Sequence, residues 1–237
     1  MATIAILGAT GRTGRILVRQ ALTRGYDVTT VIRPGSQPTS RPTVETRSTM
    51  RPVHPAADAS SGVRSIEQSA FPAAVATIVA DPTDPAALTA LRGHDVVISA
   101  LGATGRGPAT IYSRSAEALV AALAPGSRLL VISSAGIEVP ASAGPGARLT
   151  ARLLYRLMRG TYDDMVRMEH RLAGSDLWWT AVRPTRLVDA PATGATRVSL
   201  GATAPVGSTT HRADLAHYLL DAIDDPFTFA LPVAVSS

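Results

Sequence analysis

The 237-residue sequence predicts an α/β fold: a doubly wound parallel sheet with a small C-terminal substrate-side region. Three observations predict it. Short apolar or β-branched runs alternate with segments of helical apolar spacing, the connections between runs are crossover-length rather than hairpin-length, and a glycine-rich turn joins the first run to the first helix.

The elements follow in order. Ile4–Leu7 is the first strand, closed by Gly8, and residues 12–24, with Ile16, Leu17 and Leu22 at helical spacing, form the first helix. Gly25 stops that helix, and the β-branched run 27–33 completes a βαβ unit. From Pro34 to Pro72 alternation ceases, and six prolines stand among Ser, Thr and Arg residues. This stretch, 34–72, reads as an insertion, either a lid or a flexible loop, with a short helix near 63–69. Strands follow at 74–80, 95–100 and 128–133, separated by a short helix at 85–91 and a longer one at 111–123. A long helix spans about 147–173, with Gly160 as a candidate interruption, and a sixth strand over 178–183 ends at Pro184. The tail gives a helix at 212–223 and a strand near 227–233, and no internal repeat is visible.

Composition narrows the chemistry. With 46% hydrophobic and 17% charged residues the chain is globular, and at this length a single domain over 1–237 is expected. The absence of cysteine excludes disulfides, thiolate nucleophiles and iron–sulfur clusters. There is also no lysine. All 23 basic residues are arginine, so a Schiff base, a P-loop lysine and a Tyr–Lys catalytic pair are excluded together. The five histidines show no ligand spacing with carboxylates, and no metal is expected. The sequence opens directly on a strand without a basic leader, and no apolar run approaches the roughly 20 residues of a membrane span, so a cytoplasmic location is expected. The net charge of +5 raises the question of an anionic ligand.

That ligand has a candidate site. Gly8, Thr10, Gly11, Arg12, Thr13 and Gly14 lie in the segment GATGRTG between the first strand and the first helix, where glycines permit a tight turn and unpaired helix amides attract a pyrophosphate. The spacing is GxxGxxG, one residue shifted from GxGxxG, and a purely structural glycine turn is the competing reading. At the end of the second strand, where an acid would favour NADH, stands Arg33. Together with Arg12 it can hold a 2′-phosphate, which favours NADPH, against the reading of two solvated arginines.

These residues carry a family resemblance. GATGRTG at 8–14, the strand ending in Arg33, Asp81 in VADPTDPAAL, DVVISALGATG at 95–105, VISSAG at 131–136 and WWTAVRP at 178–184 together resemble the atypical short-chain dehydrogenases. Within them the chain is most similar to the NAD(P)H-binding branch of biliverdin reductase B/flavin reductase and the NmrA-like proteins. The resemblance covers about 2–33 and 74–225. It implies a Rossmann-like fold with NADP(H) as cofactor, Asp81 beside the adenine, and Leu101, Gly102 and Ala103 along the ribose. It further implies Ser133 and Ser134 near the nicotinamide, and Pro184 and Thr185 closing the pocket.

The expected proton donor is less clear. In related enzymes a tyrosine four residues before a lysine protonates the substrate. Alignment on Glu169 puts Thr161 and Met165 at those positions, and Tyr162 is one residue out of register. Tyr155 is the candidate catalytic acid, with Arg159 one turn later as the substitute cation, against a packing role among Leu153, Leu154 and Leu157. Ser134 is the candidate for orienting a substrate oxygen, against a turn-capping role. Arg148, Arg152, Arg156 and Arg159 form one helical stripe, either a solvated face or a contact for an anionic substrate. The absence of interleaved aromatics argues against nucleic acid. The functional expectation is an NADPH-dependent reductase passing hydride to a conjugated small molecule such as a flavin, quinone or tetrapyrrole. A non-catalytic redox sensor and a redox-neutral isomerase or cyclase remain open beside it.

Overall fold

The computed structural model describes residues 1–35, 75–103, 109–138 and 144–237. The expected 34–72 insertion and its helix near 63–69 therefore lie almost wholly outside the described residues. In chain order the strands are β1 (Thr3–Leu7), β2 (Asp27–Ile32), β3 (Ala76–Val79), β4 (Val96–Ser99), β5 (Arg128–Ile132), β6 (Trp178–Pro184), β7 (Arg186–Val188), β8 (Arg197–Leu200), β9 (Thr209–His211) and β10 (Leu231–Ser236). The α-helices are α1 (Arg12–Thr23), α2 (Pro85–Leu88), α3 (Ile111–Ala122), α4 (Pro145–Ala173) and α5 (Arg212–Asp221).

Eight strands form one sheet in the order β3-β2-β1-β4-β5-β6-β10-β8, parallel except for β8, which pairs antiparallel with β10. This is the Rossmann-like doubly wound arrangement that the sequence predicts. The chain runs outward from β1 to β3, then crosses back to place β4 on the other side of β1. Crossovers on both sides of that reversal leave a crevice at the carboxyl edge of the sheet.

Alternation along the strands builds two cores. Ala5, Leu7, Val97, Leu129 and Val131 face α2, α3 and α4, where Leu88, Leu119, Met165 and Leu172 meet them. Ile4, Ile6, Ile98, Leu130 and Val182 face α1 and α5, meeting Leu17, Val18, Leu215 and Leu219. Truncating a fully buried residue such as Leu129 or Leu130 to Ala is expected to cost about 2–5 kcal/mol.

Buried Arg128 ties the far edge together. Its guanidinium donates to the Ala222 and Ile223 carbonyls at the end of α5, to the Trp178 carbonyl, and to the hydroxyls of Thr180 and Thr228. It also stacks 4.3 Å from the Phe229 ring centroid. Burial pulls its pKa down to about 10, against the raising effect of nearby Asp225.

Three sequence expectations need correction. The long helix is unbroken at Gly160, because a mid-helix glycine costs only about 1 kcal/mol and the second half of α4 is packed against α3. The final strand starts at Leu231 rather than 227, because Pro226–Thr228 forms a 3₁₀ turn capped by Asp225, whose carboxylate accepts from the Phe227 amide. The short strands β7, β8 and β9 are additions; at three or four residues each they carry too few positions to show a period of two.

Candidate functional site

The glycines of the first turn have distinct reasons. Gly8 sits at φ +75°, and a Cβ there would lie 2.6 Å from the Ala100 carbonyl oxygen. At Gly14 a Cβ would run into the Gly8 carbonyl oxygen, so its absence lets α1 close onto the β1 turn. Gly11 is the helix N-cap and supplies no side-chain acceptor, and the first turn contains no acidic residue. The first internal helix bond is Arg15 N–H to the Gly11 carbonyl. The preceding amides of Arg12, Thr13 and Gly14 are thus left for an external acceptor.

This helix end opens into a cleft of about 520 Å³ at the carboxyl edge. Of the sequence-derived binding residues, Gly8, Thr10, Gly11, Arg12, Thr13, Arg33, Leu101, Gly102 and Ser133 line it. Gly14 stands behind the wall. Arg33 is exposed, lies at the end of β2, and has no hydrogen-bond or ion-pair partner among the described residues. Arg12 differs: its Nη1 donates to Asp189 Oδ2 at 2.8 Å, and the side chain is 73% exposed. Asp81 lies between the lining residues Ala80 and Pro82, and one carboxylate oxygen accepts from the amide and hydroxyl of Thr83. Those two bonds, with smaller help from Arg114 and Arg33, hold its carboxyl below the usual range.

Ser133 lines the cleft beyond the end of β5. Its hydroxyl donates to Glu169 Oε1 at 2.6 Å, and Glu169 is in turn held by the Nε and Nη2 of buried Arg183. Arg183 also donates from Nη1 to Glu138. Although burial alone would lower the Arg183 pKa, its bonds to Glu169 and Glu138 outweigh burial and raise it. The Ser133 proton is therefore committed to a carboxylate, leaving its oxygen lone pairs for a ligand donor.

The expected catalytic residues lie differently. Ser134 is not among the lining residues; its hydroxyl oxygen accepts from the Gly136 amide and caps the 3₁₀ turn 135–137. Tyr155 is also absent from the lining. Its hydroxyl donates to Asp163 Oδ1 at 2.7 Å, and Arg159 pairs with the same carboxylate at 3.4 Å. The hydrogen bond to Asp163 and burial raise the Tyr155 pKa, opposite to the lowering expected from Arg159, because Asp163 stands between phenol and cation. Pro184 and Thr185 do not line the cleft either. Thr185 bonds to Thr210, and the wall on that side is Leu187. Met165, at the position where the resemblance expects lysine, does line it.

Two polar lining residues escape sequence reasoning. Tyr112, at the start of α3, accepts from the Ala103 amide, and burial raises its pKa against the lowering effect of that bond. Arg212, the first residue of α5, reaches from 199 residues away to Thr13 Oγ1 at 3.1 Å. A cation in the first helical turn opposes the helix dipole, and that was the one signal available.

Comparison with known proteins agrees with this fold. The NAD(P)H-binding family matches residues 56–226, well over half of the chain, and the chain belongs to that family. The matched span begins after the glycine-rich turn at 8–14, so that turn is a separate observation. Among solved structures the chain is similar to the oxidoreductase ylbE from Lactococcus lactis, with 17% identity, 99% and 90% of the two chains covered and a TM-score of 0.70. It is also similar to a short-chain dehydrogenase/reductase of the wide type from Veillonella parvula DSM 2008, solved in complex with NADP, with 16% identity, 100% and 94% coverage and a TM-score of 0.68. A candidate NADH-flavin reductase from Streptococcus pneumoniae TIGR4 shares 20% identity over 100% of both chains with a TM-score of 0.64. At these identities the likeness is one of fold. Among the described residues no helix is long and apolar enough to cross a membrane, and no group of three or more His, Cys, Asp or Glu residues could hold a metal ion.

Proposed function

We propose that the protein is an NADPH-dependent reductase that passes hydride to a conjugated small-molecule acceptor such as a flavin, quinone or tetrapyrrole. The observation that carries this reading is Arg33 at the end of β2, which lines the same cleft as the uncapped α1 terminus and has no hydrogen-bond or ion-pair partner among the described residues. A 2′-phosphate satisfies the one, and a pyrophosphate the other. NADPH supplies the hydride; the residues of the chain bind, orient and exclude water. Asp81 is read as flanking the adenine, Leu101 and Gly102 the ribose, and Ser133 the nicotinamide end.

A conjugated acceptor can take its proton from solvent, which suits a cleft whose walls offer Met165 where a lysine is expected. Ser134 and Tyr155, outside the lining, serve in this reading as supports of the turn and of α4. The experiment is NADPH oxidation by the purified protein with flavin, quinone, tetrapyrrole and simple carbonyl acceptors, against an NADH control. Turnover that prefers NADPH and a conjugated acceptor is expected. Tight NADPH binding without turnover on any acceptor favours the non-catalytic sensor, the second reading that the Met165 position supports.

A further inference from the structure

Arg212 is buried, with only 10% of its side chain exposed, and it lines the cleft. Its Nε donates to Asp189 Oδ1 at 2.7 Å and its Nη1 to Thr13 Oγ1 at 3.1 Å, while Nη2 has no hydrogen-bond partner among the described residues. Arg212 opens α5 and touches the first turn of α1, so two positive helix ends converge on it. The one carboxylate paired with it, Asp189, is shared with Arg12. Burial pushes the Asp189 pKa up, but the bonds and charges of Arg212 and Arg12 outweigh it and hold the group ionised. Asp214 in the first turn of α5 offsets that helix end and Asp189 is divided between two guanidiniums, so the nearly buried Arg212 fork and the uncapped α1 terminus face the cleft with donors that an anion can take up.

We infer that Arg212 is a pyrophosphate-binding residue, acting beside the amides of the first turn of α1, with Asp189 as the residue that positions it. The inference rests on the dinucleotide reading and adds to it a ligand from the C-terminal part of the chain. A planar fork whose Nε side is fixed by Asp189 can present its remaining N–H groups to a phosphate oxygen without further ordering. The competing role is a structural bolt from Asp189 through Arg212 to Thr13, which would move stability but not affinity.

The test uses the full chain and the variants Arg212→Gln and Arg212→Lys, titrated separately with NADPH and NADH by fluorescence. Arg212→Gln is expected to weaken both dinucleotides by the same factor, about 10- to 100-fold, and to leave their affinity ratio within about twofold of wild type. Arg212→Lys, which keeps the charge and loses the fork, is expected to fall between. Inorganic pyrophosphate is expected to displace NADPH from wild type and to bind Arg212→Gln more weakly in direct calorimetry. Unchanged affinity in Arg212→Gln overturns the inference, and so does a loss confined to NADPH, which would put the guanidinium at the 2′-phosphate. If Arg212→Gln does not fold, pyrophosphate that fails to displace NADPH from wild type overturns it equally. If wild type binds neither dinucleotide, the cofactor reading fails, and pyrophosphate calorimetry on wild type and Arg212→Lys still decides whether Arg212 binds a diphosphate.

Discussion

Replacing Arg33 by Asp isolates the cofactor preference from everything else in the cleft. Arg33 is exposed and holds no bond to the described residues, so the substitution should leave stability within about 0.5 kcal/mol. Its cost falls on the ligand. A charge-assisted guanidinium–phosphate contact is worth about 1.5–3 kcal/mol, and solvent exposure puts this one near the lower end. A carboxylate in the same place adds about 1 kcal/mol of repulsion toward the 2′-phosphate at near-contact distance in water. It also accepts hydrogen bonds from the unphosphorylated ribose of NADH, for about 1 kcal/mol more. Together these give about 3–4 kcal/mol, an inversion of the NADPH-to-NADH affinity ratio by about 100- to 1,000-fold. Fluorescence titration with each dinucleotide reads the ratio, with circular dichroism as the check on folding. A folded variant whose ratio moves by less than about threefold would refute the assignment of Arg33.

Three further outcomes follow from particular contacts. Gly8→Ala forces a Cβ against the Ala100 carbonyl at positive φ; a loss of about 2–4 kcal/mol and a Tm lower by about 4–16 °C are expected in calorimetry, with weaker NADPH binding. Glu169→Ala strips the partner from buried Arg183 and the acceptor from Ser133, and should cost about 3–5 kcal/mol, a fall in Tm of about 6–20 °C. Burial pushes the Asp214 pKa up, but bonds from Ser237, Thr193 and Gly194 outweigh this and hold it below 3.8. Because the unfolded chain then takes up the proton first, the stability from Asp214 is present above pH 3.8 and is lost as pH falls below it. Urea denaturation at pH 3 and pH 6 should show a smaller pH dependence in Asp214→Asn than in wild type; an equal slope would remove Asp214 from the account.

Much of the fold was legible because its signals are local. The apolar runs 96–98 of β4 and 129–132 of β5 are buried on both faces, and GATGRTG announces a turn between a strand and a helix. The glycine-rich turn was legible for the same reason, since Gly8, Thr10, Gly11, Arg12 and Thr13 are neighbours in sequence as well as in the cleft. What escaped depends on tertiary packing. Arg212 and Leu187 reach the cleft only because the last third of the chain folds back over α1 and the carboxyl edge. Tyr155 shows what spacing leaves out: the i,i+4 relation to Arg159 is real, but Asp163, eight residues on, accepts the phenol hydrogen bond and pairs with the same arginine. Sequence spacing ranks neighbours on a helix and does not say which of them wins a hydrogen bond.

Arg128 and the cleft arginines respond differently to ionic strength. Among the described residues no carboxylate forms an ion pair with Arg128; it is held by carbonyl and hydroxyl dipoles and by the Phe229 ring, out of reach of mobile ions. Arg12 and Asp189 stand at the solvent boundary, where about 0.15 M salt confines charge interactions to roughly 8 Å. Concentrated salt should therefore loosen the grip on an anionic ligand while the sheet and its helices stay assembled, which offers a gentle way to strip bound nucleotide from the purified protein.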